Sequence, residues 1–128
     1  MIVTTEFNQT TISEKISLKG VGLHTGKDVT LTFIPSTADT GYIFKRIDLE
    51  NSPTLQADIK YVSNTERGTC LKKNGLTIQT CEHVLAALVG SEIDNVIIEL
   101  NESEPPIMDG SAKFCLLYTS DAADEVVS

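Results

Sequence analysis

The adjacent residues Glu82 and His83 are the pair in this sequence best suited to chemistry. A neutral imidazole is a common zinc ligand, and a carboxylate nearby can act as general base for a water that the metal holds. Successive helical residues point about 100° apart, so one side chain can bind the ion while the other reaches beside it. No second histidine follows at the spacing of the HExxH motif, and one histidine with one glutamate does not complete a metal site.

A structural interpretation of the same pair stays open. Glu82 near a helix start interacts favourably with the helix dipole, and His83 can be a hydrogen-bonded surface or core residue. His24 lies in a glycine-rich turn, where it can line a site or cap a hairpin. Cys70 and Cys81 can ligate metal, but neither has a CxxC partner, so small buried thiols are the simpler interpretation.

The pair falls in the first turn of a predicted amphipathic helix over residues 80–90, where apolar residues recur at helical spacing. Thr80 is a candidate N-cap, and Gly90 is a candidate for the residue just beyond the helix. A second helix is predicted near the end of the chain, with Asp109 or Ser111 as its cap.

Alternating apolar and polar residues predict several β-strands ahead of the helix. The step Asn74-Gly75 predicts a tight hairpin, and the apolar run in 93–100 predicts a central strand. This order of elements indicates an α+β fold: a two-layer domain whose mostly antiparallel sheet carries two helices on one face. The other predicted strands are residues 11–18, 29–34, 42–47 and 57–61.

The composition limits the classes of function. The chain has 128 residues, 41 % of them hydrophobic, which suits one domain with a core and argues against disorder. Its net charge of −8 makes it a poor nonspecific ligand for nucleic acid or anionic lipid. The sequence has no apolar run of transmembrane length, no export signal at its start and an odd number of cysteines, so we expect a cytoplasmic location.

Four segments together resemble the UDP-3-O-acyl-N-acetylglucosamine deacetylase family, whose zinc-dependent enzymes catalyse the committed step of lipid A synthesis. The resemblance covers residues 11–114 and rests on the order and spacing of segments that are weakly specific one by one. These segments are GVGLHTG at 20–26, T-x-EH-x-LAAL at 80–88, IDN at 93–95 and E-x-PIMDGSA at 104–112.

The resemblance implies an amide hydrolase that removes acetate from a UDP-linked, 3-O-acylated amino sugar. By position, Glu82 matches the family's general base and His83 its first zinc ligand. The family has two similar domains with the active site between them, and its other zinc ligands, a histidine and an aspartate, lie in the second domain. The histidine that serves as general acid lies there too. We therefore expect a missing C-terminal domain to complete the Zn²⁺ site, and this piece alone to be inactive.

The resemblance also marks a loop that borders the active site in the family. It implies that His24 and Asp109, which match family motifs, are mainly structural. Some members of the family are fused to a hydroxyacyl-carrier-protein dehydratase, and the sequence leaves open whether this protein is. The residues that match the loop, all candidate substrate contacts, are Thr65, Glu66, Arg67, Gly68, Thr69 and Cys70; Arg67 is a variant position whose role stays open.

The expected organisation is an N-terminal deacetylase domain over residues 1–114, with its second helix truncated, and a non-native tail over 115–128. From Cys115 the sequence resembles translated sequencing-adapter DNA. An alternative from another class of function is a non-catalytic α+β binding or interaction domain of the same fold. The adjacent Glu82 and His83 favour the enzyme, because a binding domain has no need of both.

Overall fold

The structure consists mainly of short β-strands. The computed structural model describes residues 3–4, 9–65 and 68–107, and within these ranges it contains ten strands, one α-helix and one 3₁₀-helix. The strands are β1 (Val3–Thr4), β2 (Thr10–Thr11), β3 (Ile16–Val21), β4 (Asp28–Pro35), β5 (Tyr42–Arg46), β6 (Thr54–Gln56), β7 (Val62–Thr65), β8 (Gly68–Lys73), β9 (Leu76–Ile78) and β10 (Val96–Leu100). The α-helix, α1, spans Glu82–Gly90, and the 3₁₀-helix spans Ile59–Tyr61.

Five strands form the main sheet in the order β3-β4-β10-β5-β6. Neighbouring strands are antiparallel except β5 and β10, which run parallel. The β3–β4 hairpin follows from alternation in the sequence, since Val29, Leu31 and Phe33 of β4 are buried. The predicted central strand is confirmed, because β10 lies between β4 and β5 and buries every second side chain.

A smaller antiparallel sheet contains β7, β8 and β9. Asn74 and Gly75 form the turn between β8 and β9, with φ angles of 50° and 83°. Both angles lie in the left-handed region that Asn and Gly adopt most readily, so the predicted Asn-Gly hairpin is confirmed. The small sheet also meets the start of α1, where the Cys81 N–H donates to the carbonyl oxygen of Thr69 at 3.1 Å.

Helix α1 shares one hydrophobic core with both sheets. Its buried residues Val84 and Leu88 belong to the same cluster as Phe33 of the main sheet and Leu71 of the small sheet. The predicted α+β class with a mostly antiparallel sheet is therefore confirmed. The second predicted helix, with Asp109 near its start, lies outside the described residues. No helix in the described ranges is long and apolar enough to cross a membrane.

Two strand predictions are wrong. Residues 57–61 contain a 3₁₀-helix instead of a strand, because the Asp58 carboxylate accepts a hydrogen bond from the Lys60 N–H at 3.0 Å and caps that turn. The run 11–18 is interrupted by a bend, and its main strand, β3, begins only at Ile16. The apolar alternation does not show where local hydrogen bonding breaks the extended chain, and in residues 57–61 it also fails to mark a buried face, because Ile59 is 87% exposed.

Candidate active site

The first turn of α1 places Glu82 and His83 on the wall of one cavity of about 160 Å³. The next residue, Val84, is fully buried and fixes the rotation of the helix, so Glu82 is exposed and His83 is half-buried. The cavity is the place where both predicted functional side chains reach solvent together. Its other lining residues are Leu23, Thr80, Pro105 and Ile107.

The helix start differs from the prediction. Cys81 occupies the N-cap position, and among the described residues its side chain makes no capping hydrogen bond. Thr80, the predicted cap, lies one residue earlier with a φ angle of 49°, and its hydroxyl donates to Glu104 Oε2 at 2.7 Å. At the other end, Gly90 is the last helical residue, and the residue beyond the helix is Ser91.

Glu82 is held by the start of β8, the middle strand of the small sheet. The Thr69 N–H of β8 donates to Glu82 Oε2 at 3.2 Å. Gly68, with a φ angle of 116°, lies beside the same carboxylate, and a Cβ built on it would stand 2.7 Å from Glu82 Oε1. Residue 68 is therefore a glycine for two reasons: the backbone conformation requires it, and the carboxylate occupies the space of a side chain.

The predicted loop 65–70 is the end of a hairpin, because β7 ends at Thr65 and β8 begins at Gly68. Glu66 and Arg67 lie outside the described residues. Cys70 is only 6 % exposed, so its thiol is part of the core. The segment nevertheless reaches the site, because its backbone meets Glu82.

His83 makes a hydrogen bond that fixes the chemistry of its ring. Its Nε2–H donates to the carbonyl oxygen of Pro106 at 3.1 Å. A carbonyl oxygen only accepts, so in the neutral ring the proton is on Nε2 and the lone pair is on Nδ1. Histidines that bind metals usually donate their second ring N–H to a carbonyl or carboxylate in this way. The Nδ1 atom of His83 is thus prepared to bind a cation.

A buried carboxylate lies behind the helix start. Glu104 is 1 % exposed; its Oε1 accepts from the backbone N–H groups of His24 and Thr25 at 2.9 and 3.0 Å. Its Oε2 accepts from the Thr80 hydroxyl and from His24 Nδ1–H at 2.9 Å. Burial raises the pKa of Glu104, but the hydrogen bonds from Thr80, Thr25 and His24 outweigh burial and lower it to about 2. Glu104 is therefore ionised at neutral pH.

The glycine-rich turn before β4 is shaped to admit this carboxylate. A Cβ built on Gly22 would stand 2.5 Å from Glu104 Oε1 and 2.4 Å from Thr25 Oγ1. His24, a candidate from the sequence, therefore contacts Glu104 and Thr80, and not Glu82 or His83 in any described hydrogen bond. Sequence reasoning gave Glu104 no role, since a glutamate before two prolines is typical of a solvated loop. A signal was present in the glycines of the turn, which indicate a close approach by another group.

Comparison with known families shows which family the chain belongs to. A profile of the family described as UDP-3-O-acyl N-acetylglycosamine deacetylase matches residues 9–123. The chain belongs to this deacetylase family. The match includes the helix start with Glu82 and His83, the Gly22–His24 turn and the segment that contains Glu104.

Curated relatives of the deacetylase family agree. The chain is 52% identical over 112 residues to the UDP-3-O-acyl-N-acetylglucosamine deacetylase of Blochmanniella pennsylvanica, covering 85% of this chain and 38% of the relative. It is 47% identical over 104 residues to the same-named protein of a Psychrobacter species, covering 81% and 35%. It is 49% identical over 106 residues to the "Bifunctional enzyme LpxC/FabZ" of Bacteroides thetaiotaomicron, covering 83% and 23%. The chain thus spans about a quarter to two-fifths of these relatives.

The remaining candidate residues from the sequence have mixed outcomes. Cys81 is fully buried, as predicted for a small core thiol, and burial together with the nearby Glu82 charge raises its pKa to about 12. Asp109 lies outside the described residues, as does the predicted tail over 115–128. Within the described ranges, no three histidine, cysteine, aspartate or glutamate side chains gather closely enough to hold a metal ion.

Proposed function

We propose that this chain supplies one wall of the active site of a zinc-dependent deacetylase of lipid A biosynthesis. The substrate is UDP-3-O-acyl-N-acetylglucosamine, from which the enzyme removes acetate. The observation that carries the proposal is the cavity that Glu82 and His83 share. A backbone N–H holds Oε2 of Glu82, and a backbone carbonyl holds Nε2 of His83. Membership of the deacetylase family supports the same assignment.

The proposed zinc ligand in this chain is Nδ1 of His83. The hydrogen bond from Nε2 to Pro106 fits the requirement of a metal-binding histidine. Zinc in such a site acts as a Lewis acid toward a carbonyl oxygen and lowers the pKa of water. Resemblance to the family implies that a second domain, related to this one, contributes a histidine and an aspartate as the other ligands.

Glu82 is the proposed general base. The Thr69 N–H engages Oε2 and fixes the plane of the carboxylate. Oε1 lies beside Gly68, where the absence of a side chain makes room for the carboxylate. The exposed position of Glu82 at the cavity wall allows a water or a substrate amide to approach.

The proposed substrate edge is the β7–β8 hairpin, from Thr65 to Cys70. Gly68 and Thr69 place their backbone beside Glu82, so a substrate held near the base meets this edge. Cys70 contributes through its backbone only, because its thiol is buried. The location that we propose for the protein is the cytoplasm.

The test begins with the gene. Its sequence is extended to the natural stop codon, and the encoded product is called the full-length protein below. We expect the extension to encode a histidine and an aspartate at metal-ligand spacing, and the full-length protein to release acetate from the UDP-sugar. Glu82→Ala should lower turnover by about 10²–10⁴, the usual contribution of a general base. A non-catalytic binding domain would lack the downstream ligands, and wild-type turnover in the variant would remove Glu82 from the mechanism.

A further inference from the structure

The buried carboxylate of Glu104 has more hydrogen bonds than a loop residue needs. Its two oxygens accept four hydrogen bonds, from His24, Thr25 and Thr80, which use the acceptor capacity of a carboxylate. Burial of an ionised group this deep is unfavourable unless such bonds compensate the loss of its hydration. An apolar residue would fill the same space at a lower free-energy cost, so the buried charge needs a functional explanation.

The first element that Glu104 controls is the entry into α1. Thr80 has a φ angle of 49°, a strained conformation that a β-branched residue rarely adopts. The hydrogen bond from its hydroxyl to Glu104, at 2.7 Å and fully buried, holds Thr80 in that conformation. Two residues later the helix begins with Glu82 and His83, so the direction of both side chains depends on this bend.

The second element is the ring of His83. Its Nε2–H donates to Pro106, which lies two residues after Glu104 in the same extended segment. That segment is anchored beyond Pro106 as well, since the Ile107 N–H donates to the Val21 carbonyl at 2.8 Å. Glu104 thus joins the glycine-rich turn, the helix start and the acceptor of His83 in one rigid unit.

We propose that Glu104 is a positioning residue for the Glu82–His83 pair, acting through Thr80 and through the carbonyl of Pro106. It touches neither side chain itself in a described hydrogen bond. Its buried oxygens lock the bend before α1 and the segment that holds the His83 ring, so that Nδ1 of His83 and the Glu82 carboxylate keep a fixed relative placement. The inference rests on the function proposed above for these two residues.

The decisive variant is Glu104→Gln in the full-length protein, because it preserves shape and removes the charge and one pair of acceptor sites. Zinc affinity of the metal-free protein, measured by chelator competition, should fall by about 10–100-fold, as for other groups that orient a metal-binding histidine. At saturating zinc, kcat should fall by about 10²-fold with KM within about twofold, because misplaced catalytic groups lower the rate and leave substrate binding intact. The matched control is Glu102→Gln, two residues away. The side chain of Glu102 is 23% exposed, and its carboxylate pairs with Lys27 at 3.8 Å. This variant should match the wild-type protein in both zinc affinity and kcat.

A second pair of variants covers the case in which Glu104→Gln does not fold. Thr80→Ser keeps the hydroxyl that donates to Glu104, and Thr80→Ala removes it. We expect Thr80→Ser to retain zinc affinity and kcat, and Thr80→Ala to lose at least about tenfold in both. Equal behaviour of the two Thr80 variants, or wild-type zinc affinity and kcat in a folded Glu104→Gln protein, would overturn the inference.

The same experiments separate this inference from the proposed function. If His83→Ala abolishes zinc binding and Glu82→Gln abolishes turnover, but Glu104→Gln behaves like wild type, only the positioning role is wrong. If His83→Ala and Glu82→Gln leave zinc binding and turnover unchanged, the proposed function itself fails.

Discussion

The contact between Gly68 and Glu82 leads to a quantitative prediction for Gly68→Ala. A Cβ at this position would stand 2.7 Å from Glu82 Oε1, whereas ordinary van der Waals contact begins at 3.4 Å. The carboxylate must therefore retreat by about 0.7 Å, the difference between those two distances. Because the Thr69 N–H holds the other oxygen, such a retreat also weakens the bond that fixes the base.

The expected effect has two separable parts. The φ angle of 116° is unfavourable for alanine and should lower the free energy of unfolding by about 1–3 kcal/mol. Displacement of the general base should lower kcat by about 10–10²-fold, since a misplacement of about 1 Å can cost about 10²-fold. The assay is acetate release by the full-length protein at saturating substrate, with thermal unfolding measured on the same samples.

Gly75→Ala is the matched control for the backbone part. Gly75 has a φ angle of 83°, and no atom of the described residues lies within 4 Å of a Cβ built there. It should lose similar stability and keep kcat within about twofold of wild type. In a Glu82→Gln background, Gly68→Ala should change kcat no further, because the group it displaces no longer acts as base.

Two results would refute this reasoning. Equal losses of kcat in Gly68→Ala and Gly75→Ala would show that backbone strain alone explains the effect. A wild-type kcat in Gly68→Ala would show that Glu82 tolerates the displacement and that its position is not critical.

Three further predictions concern the described part of the chain. The pKa of Glu104 is about 2 in the folded protein, against an ordinary value of 4.5, so its ionised form adds about 3 kcal/mol of stability; this contribution is complete above about pH 5 and is lost as the pH falls toward 2. Urea unfolding at several pH values should show this dependence in the wild-type protein and its loss in Glu104→Gln. An identical pH dependence in both proteins would contradict the prediction. Asn95 is buried, and its Oδ1 accepts from the N–H groups of Thr40 and Gly41 at 3.1 and 2.9 Å. Asn95→Ala should therefore lower the free energy of unfolding by about 3 kcal/mol. A loss under about 1 kcal/mol in urea unfolding would contradict this prediction and show that the loop replaces these bonds. Burial and the Glu82 charge raise the pKa of the Cys81 thiol to about 12. The thiol should therefore resist iodoacetamide at pH 8 in the folded protein and react in denaturant. Rapid labelling of Cys81 in the folded protein, detected by mass spectrometry, would contradict the prediction.

Local patterns in the sequence predicted the elements that local chemistry determines. Asn74 and Gly75 adopt the left-handed conformations that the hairpin needs, and the apolar run that ends at Leu100 lies at the centre of the sheet. The predicted helix start is wrong by one residue, because the hydroxyl of Thr80 donates to Glu104 instead of capping a backbone N–H of its own helix. That acceptor lies 24 positions later in the chain.

Local sequence patterns did not predict the arrangement of the candidate site, because its contacts join residues far apart in the chain. Glu104 meets the ring of His24 across 80 positions, and Glu82 meets Thr69 across 13. The spacing of Glu82 and His83 is equally compatible with a structural role, so their assignment came from resemblance to a family. The structure adds the atoms that hold each side chain, which neither spacing nor resemblance supplies.

The most direct test of the central claim separates the roles of Glu82 and His83 in the full-length protein. Zinc content after equilibrium dialysis and turnover with the UDP-sugar are measured on Glu82→Gln and His83→Ala. We predict that Glu82→Gln keeps wild-type zinc and loses about 10²–10⁴ in turnover, whereas His83→Ala loses the zinc itself. Full zinc occupancy in His83→Ala, or wild-type turnover in zinc-loaded Glu82→Gln, would contradict the account.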